Sequence, residues 1–324
     1  MSVLGATDTG PGADHRKARA ARFSILSNSG LIALKVVAGV LTGSVAIITE
    51  AVHSAVDLVA SVVAYFSVRK AEEPADRSHP YGHEKVENLA AALEGVLIVL
   101  GAAIIIYEAI RKLSEGAQVE KLGLGIAVIA FSAAVNFAVS GYLYGQAKLT
   151  DSPALEGDAA HLRTDAFTSI GVLVALALVA ITGVHELDAV AALVVACAIV
   201  FAGVRLVTRS SRVLVDEALP EDELERIGQA IQGYGASEVI GYHKLRARRA
   251  GSRRYIDLHV QFARGTTLER AHQLSHELQH EIRDQVGGAD VLIHLEPEDA
   301  LEPREPGPLD TPRTSAGQRP VSEG

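Results

Sequence analysis

Apolar residues in this chain gather into six long runs, roughly 23–46, 47–68, 88–110, 122–146, 156–182 and 187–207. Each approaches the ~20 residues that cross the hydrocarbon core of a bilayer. The fifth carries Asp158, His161, Arg163 and Asp165 in its first turns. Beyond Arg212 the pattern turns polar and its period changes. Pro220 followed by Glu221, Asp222 and Glu223 reads as a helix start, which places a helix over 221–232. Two strands follow, about 238–248 and 254–263, the second with clear alternation from Tyr255 to Phe262. Thr266 and Thr267 offer a cap for a helix running to Val286, and Val291–Leu295 reads as a last strand. The pattern predicts an all-α membrane bundle of six helices followed by an α+β domain of order α-β-β-α-β. After Pro297 the chain is rich in Pro, Glu, Ser and Thr, a composition that favours disorder.

Charge sets the orientation. Arg16, Lys17, Arg19 and Arg22 precede the first run; Arg69, Lys70, Arg77 and Lys85 lie between the second and third; Lys148 follows the fourth; Arg205, Arg209 and Arg212 close the sixth. On the other side stand Arg111, Lys112 and Lys121. The balance predicts cytoplasmic termini and a multi-pass protein of the cytoplasmic (inner) membrane. The basic start precedes a run too long for the apolar core of a signal peptide, so no cleavable leader is expected. The division expected is a cytoplasmic tail at 1–22, a six-span domain at 23–212, a cytoplasmic metal-binding domain at 213–297 and a disordered tail at 298–324. The formal net charge is −9, with the acid excess largely in the C-terminal third, and no basic stripe interleaved with aromatics argues for nucleic acid. A single cysteine, Cys197, excludes an intramolecular disulfide and thiolate-cluster metal chemistry, and its apolar surroundings predict core packing.

Two apolar runs contain the same pattern: His53-Ser-Ala-Val-Asp57 and His161-Leu-Arg-Thr-Asp165. An imidazole and a carboxylate four residues apart share one helix face. Two such faces together offer two nitrogen and two oxygen donors, a full tetrahedral set for Zn²⁺. Ionisable groups within membrane segments are expensive and mark function. Zinc binds neutral imidazole and ionised carboxylate, so metal and protons compete for such a site. Thr49, Ser54, Thr164 and Thr168 lie close enough in sequence to support the ligands. Gly39, Gly43, Gly95, Gly101 and Gly141 would admit close helix contact. Lys35 is expected to snorkel or to face a polar patch of the bundle, and Glu94 lies deep in the third run. A third cluster, Asp76, His79 and His83, lies between the second and third runs, where Pro80 and Gly82 predict a turn.

Together these features resemble the cation diffusion facilitator family of zinc/proton antiporters, over about 23–297. The resemblance implies a homodimer that exports divalent metal, most directly Zn²⁺, from the cytoplasm against protons. It implies a transport site at His53, Asp57, His161 and Asp165, with His at position 53 similar to zinc-selective members. The loop site would be Asp76, His79 and His83. His243, His259, His272 and His294 match positions of a dimer-bridging zinc site in a metallochaperone-like domain, and Glu296 stands where the family usually has Asp. Zn²⁺ is then both substrate and regulatory ligand; the lipid bilayer and protons are the other partners. Lys85 and Asp216 occupy positions of a charge pair that locks the dimer. The same residues also fit an exporter of Fe²⁺, Co²⁺, Ni²⁺, Cd²⁺ or Mn²⁺, or a membrane metal sensor. His276-Glu277-Leu-Gln-His280 fits the HExxH pattern of zinc proteases, but no third ligand motif accompanies it. The chain is therefore expected not to be an enzyme.

Overall fold

The computed structural model describes residues 11–42, 45–115, 123–182, 186–234 and 237–298. It divides into two compact units, Met1–Glu217 with Ala250–Arg253, and Ala218–Arg249 with Arg254–Gly324.

The first unit holds, among the described residues, six long helices: α1 (Pro11–Thr42), α2 (Val45–Ala71), α3 (Lys85–Glu115), α4 (Gly123–Thr150), α5 (Pro153–Thr182) and α6 (Glu186–Leu214). Four carry segments long and apolar enough to cross a membrane: His15–Leu41, Lys85–Arg111, Ile126–Thr150 and Ala189–Leu214. The remaining two, α2 and α5, are those that bear the His/Asp pairs. Of the six spans expected, four are found by length and apolarity among the described residues. Each break between helices has a local cause. Gly82 at φ +89° turns the chain ahead of α3. Asp151 sits at φ +48°, and Pro153 opens α5, where its missing N–H costs nothing.

In the bundle α3 packs along α6, α1 along α2, and α4 along α5. Small residues make this possible: Ala20, Ala21, Ala64, Ala91, Ala154 and Ala166 are fully buried. Gly95 meets α6 closely, for a Cβ there would stand 2.7 Å from Val207 Cγ2 and 3.1 Å from the Gly203 carbonyl. Gly101 and Gly141 differ from expectation, with nothing near where a Cβ would be. Gly43 lies outside the described residues. Cys197 is exposed and does not pack in the core. Lys35 is buried and donates to Ser54 Oγ at 2.7 Å, so it faces the polar interior.

The second unit is α+β: α7 (Glu221–Gly233), β1 (Val239–Ala250), β2 (Arg253–Phe262), α8 (Leu268–Val286) and β3 (Ala289–Pro297). Three acids in the first turn of α7 complement its dipole. Thr267 caps α8, accepting from the Arg270 N–H at 3.2 Å, and Gly287 at φ +66° closes it with a bond to the Arg283 carbonyl. The sheet order is β1-β2-β3, with β2 and β3 parallel and joined through α8, as a parallel crossover requires. Ile256, Leu258, Val260 and Phe262 of β2 alternate into the core with Leu274, Leu278 and Ile282 of α8. Each such burial contributes about 1.5–3 kcal/mol. The tail beyond residue 298 lies outside the described residues.

Candidate metal centre

Within the bundle, Asp57 of α2 and His161 and Asp165 of α5 bring one ligand atom each within 4.8 Å of the others. His161 Nε2 lies 3.2 Å from Asp57 Oδ1 and 3.8 Å from Asp165 Oδ2. Asp57 and His161 are buried at 6% and 7% exposure, which marks this as an interior site. The spacing of four on α5 puts His161 and Asp165 on one face, and the packing of α2 on α5 supplies Asp57. His161 Nδ1 is buried without a hydrogen-bond partner among the described residues. Two carboxylates and an imidazole form a hard, anionic donor set suited to a divalent cation. The side chain of the fourth expected ligand, His53, lies outside the described residues, as does that of Thr49. Thr164 and Thr168 donate to carbonyls of their own helix.

The loop cluster also converges: Asp76, His79 and His83 offer three ligand atoms within 4.8 Å. Asp76 Oδ1 accepts from the Ser78 N–H at 2.8 Å, Ser78 Oγ at 2.7 Å and the His79 N–H at 2.7 Å. This is an Asx turn. The Ser78 hydroxyl and then the His79 amide hold the Asp76 carboxyl well below the usual range. The His79 and His83 ring centroids lie 4.5 Å apart with the planes tilted by 48°. Nε2 of the buried His83 lies 3.4 Å from Asp76 Oδ2 and has no hydrogen-bond partner among the described residues. Beside this loop, Lys85 Nζ donates to Asp216 Oδ1 at 2.7 Å and to the Leu214 carbonyl at 3.3 Å. The expected charge pair thus closes within one chain.

The third cluster sits on the outer face of the sheet. Alternation that sends Leu258 and Val260 inward sends His259 outward, and on β3 it separates Ile293 and Leu295 from His294 and Glu296. The parallel register sets His259 beside His294 and Gln261 beside Glu296. His243 Nε2 lies 2.7 Å from Glu296 Oε2, and His259 Nδ1 lies 2.5 Å from Glu296 Oε1. Tyr242 and Leu245 both join the core although three residues apart. Lys244, at φ +51°, is the extra residue that re-aims the strand beside His243. Burial pushes the Glu296 carboxyl up, but hydrogen bonds to His243 and His259 outweigh it and hold it below its ordinary value. His294 packs against His259 at 4.6 Å, and its Nε2 is 4.0 Å from Glu296 Oε1. His272 falls outside this group; its ring packs edge-on against His276 at 4.5 Å. Glu277 of the HExxH pattern accepts from Tyr234 Oη and from Gln273 Nε2.

Sequence reasoning did not assign Glu94 and Asp158, both fully buried in the bundle. Glu94 lies deep in the third run, and Asp158 shares a helix face with His161 and Asp165 at i, i+3 and i+7.

The cation efflux transmembrane domain matches residues 21–215, and the cation efflux protein cytoplasmic domain matches residues 219–298. An uncharacterized transporter, sll1263, of Synechocystis sp. is 35% identical over 284 residues, 86% of this chain and 91% of its own length. The cation-efflux pump FieF of Yersinia enterocolitica is 32% identical over 289 residues, 89% of this chain and 95% of its own. A solved structure of the Zn form of CzrB is 36% identical, covering 26% of this chain and 93% of that one, with a TM-score of 0.25. Proteins of this family are transporters and not enzymes. Two domain matches in sequence, relatives covered almost end to end and metal-ligand clusters in both units lead to one assignment: the chain belongs to the cation efflux, or cation diffusion facilitator, family and is a multi-pass membrane exporter of divalent metal cations.

Proposed function

We propose that this exporter carries Zn²⁺ out of the cytoplasm in exchange for protons, working as a homodimer in the cytoplasmic (inner) membrane with both termini inside. The observation that carries the reading is the buried meeting of Asp57, His161 and Asp165 between two helices. His53 is the proposed fourth ligand. Four protein ligands leave no open coordination position, which suits carriage and not hydrolysis. Zinc requires neutral imidazole and ionised carboxylate, so the same atoms hold either metal or protons. Rocking of α2 and α5 between inward-open and outward-open states then gives exchange. In this reading all six helices span, and the ionisable groups of α2 and α5 are tolerated because they face the bundle interior. The proposed division is the tail at 1–22, the transport domain at 23–212, the regulatory domain at 213–297 and the tail at 298–324. The cluster of His243, His259 and Glu296, with His294 beside it, binds regulatory zinc that stabilises the dimer; His272 is the proposed further ligand there. Asp76, His79 and His83 form a secondary metal site.

Zinc-driven proton movement in sealed proteoliposomes tests this, comparing the wild type with Asp57→Ala and Asp165→Ala. Proton flux that needs zinc and disappears in both variants is the expected result. Flux that survives both changes would place the transport site elsewhere, and zinc flux without proton movement would refute antiport.

A further inference from the structure

Besides Glu87, which Lys17 engages, the described part of the bundle buries two carboxylates that the metal clusters do not use. Glu94 of α3 is completely buried, and neither of its oxygens has a hydrogen-bond partner among the described residues. Asp158 of α5 is equally buried. Its Oδ1 accepts from Ser61 Oγ at 2.8 Å, while its Oδ2 has no partner among the described residues. Ser61 Oγ is joined in turn by Asn28 Nδ2 at 2.8 Å and Ser24 Oγ at 3.1 Å. Glu94 reaches the same turn of α5 because residue 157 is glycine. A Cβ there would stand 3.1 Å from Glu94 Oε2 and 3.2 Å from Cα of Ala91.

Helical spacing relates this pair to the metal cluster. Asp158, His161 and Asp165 fall at i, i+3 and i+7 on α5, and Asp57 and Ser61 at i and i+4 on α2, so each set shares a face. The contact of Asp158 with Ser61 is a second polar rung, roughly 4.5 Å further along α5 at 1.5 Å per residue, towards the end where α2 stops and α5 begins. The titratable groups that act on Glu94 from α5 are Asp158 and His161. Asp57 of α2 stands behind His161. On α3 itself Glu87 is engaged by Lys17 of α1 and by Ser152. The α6 side is apolar, with Ile199 and Leu206 packed among the residues around Ala91 and Ile98.

A carboxylate stripped of water and of every donor is far costlier than the neutral acid. A carboxyl group so placed keeps a proton while no positive charge is near, and releases it when one arrives. We propose that Glu94 is a proton-carrying residue of the transport cycle. Glu94 holds one proton while the neighbouring cluster is empty, gives it up towards Asp158 and Ser61 when a divalent cation occupies that cluster, and takes it back when the cation departs. Charge balances, for the arriving cation compensates the carboxylate that the proton leaves behind. The inference rests on the antiport reading and adds a residue to it that binds no metal.

The test is a Zn²⁺ titration of the full-length protein in weakly buffered detergent solution, counting protons released per metal bound with a pH indicator. Sites shared by wild type and variant cancel in the comparison. Glu94→Gln should release about one proton fewer for each metal at the transport site. Asp158→Asn is the second variant, with the same expectation, should the first not fold. A variant that binds zinc and releases the wild-type number of protons would overturn the proposal and leave antiport standing. A wild type that binds zinc and releases no protons would overturn both.

Discussion

The His161 cluster in the helix bundle and the His243 cluster on the sheet use the same ligand chemistry on different supports. In the bundle the donors come from two helices, and His161 meets its carboxylates at 3.2 and 3.8 Å. On the sheet, Glu296 meets its two imidazoles at 2.7 and 2.5 Å. Helices that contact only through side chains are able to shift against each other. The strands β2 and β3 are tied by a backbone ladder over nine residue pairs and hold their ligands in one arrangement. A site that must release its cargo belongs on the first kind of support, and a site that holds a metal in place belongs on the second.

The comparison makes its largest prediction in transport. Asp165→Ala should lower zinc flux in proteoliposomes on the order of 100-fold or more, since losing even a supporting partner of a metal ligand costs ~10–100-fold. Glu296→Gln should leave flux within several-fold of wild type while weakening zinc binding at the soluble domain ~10–100-fold by calorimetry. Equal loss of flux in both variants would break the distinction.

The strands β1 and β2, which carry His243 and His259, are joined to α7 through Glu223. Glu223 is buried and accepts from Arg249 Nη2 at 2.6 Å and from Arg254 Nε at 2.6 Å. Burial pushes its carboxyl up, but the Arg254 and Arg249 guanidiniums prevail and hold it below its ordinary value of 4.5. A carboxyl depressed in the folded state adds stability above its unfolded value and loses that share as pH falls through the folded one. The melting temperature of the α+β domain should therefore fall as pH drops below 4.5, by a share absent from Glu223→Gln. That variant should cost about 3 kcal/mol at neutral pH, the low end for stripping one partner from a buried ion pair.

The smallest effect belongs to the exposed charge pair. Lys85→Ala removes a half-exposed bond to Asp216 and should cost less than about 1 kcal/mol in thermal unfolding, and less again in high salt. A larger loss would give the pair a role beyond its own contact.

Much of the sheet cluster was legible in the chain. Alternation from Tyr255 to Phe262 assigns Leu258 inward and His259 outward, and Thr267 announces the helix whose return sets β3 parallel. The loop cluster was legible because Pro80 and Gly82 forbid a helix where three ligands are close in sequence. In the bundle, by contrast, lipid is as apolar as a protein interior, so apolar runs do not reveal which face is buried. That is why Cys197 falls outside the core and why a Cβ at Gly101 or Gly141 would meet nothing nearby while one at Gly95 would run into α6. Glu94 shows the same limit, for its depth depends on α5 offering Gly157 at the matching height. His272 lies on α8 with its ring against His276, and linear spacing alone does not fix where that helix sets it relative to β3.

The parallel register of β2 with β3 has a genetic consequence. Val291, Ile293 and Leu295 reach the core from the same strand whose alternate positions carry His294 and Glu296. A single codon gained or lost between residues 289 and 293 would exchange the two sets, turning ligands inward and aliphatics outward. Unless a bulge absorbs the change, as at Lys244, such an indel disrupts the core together with the cluster. Substitution of one cluster residue at a time is the route that spares the core.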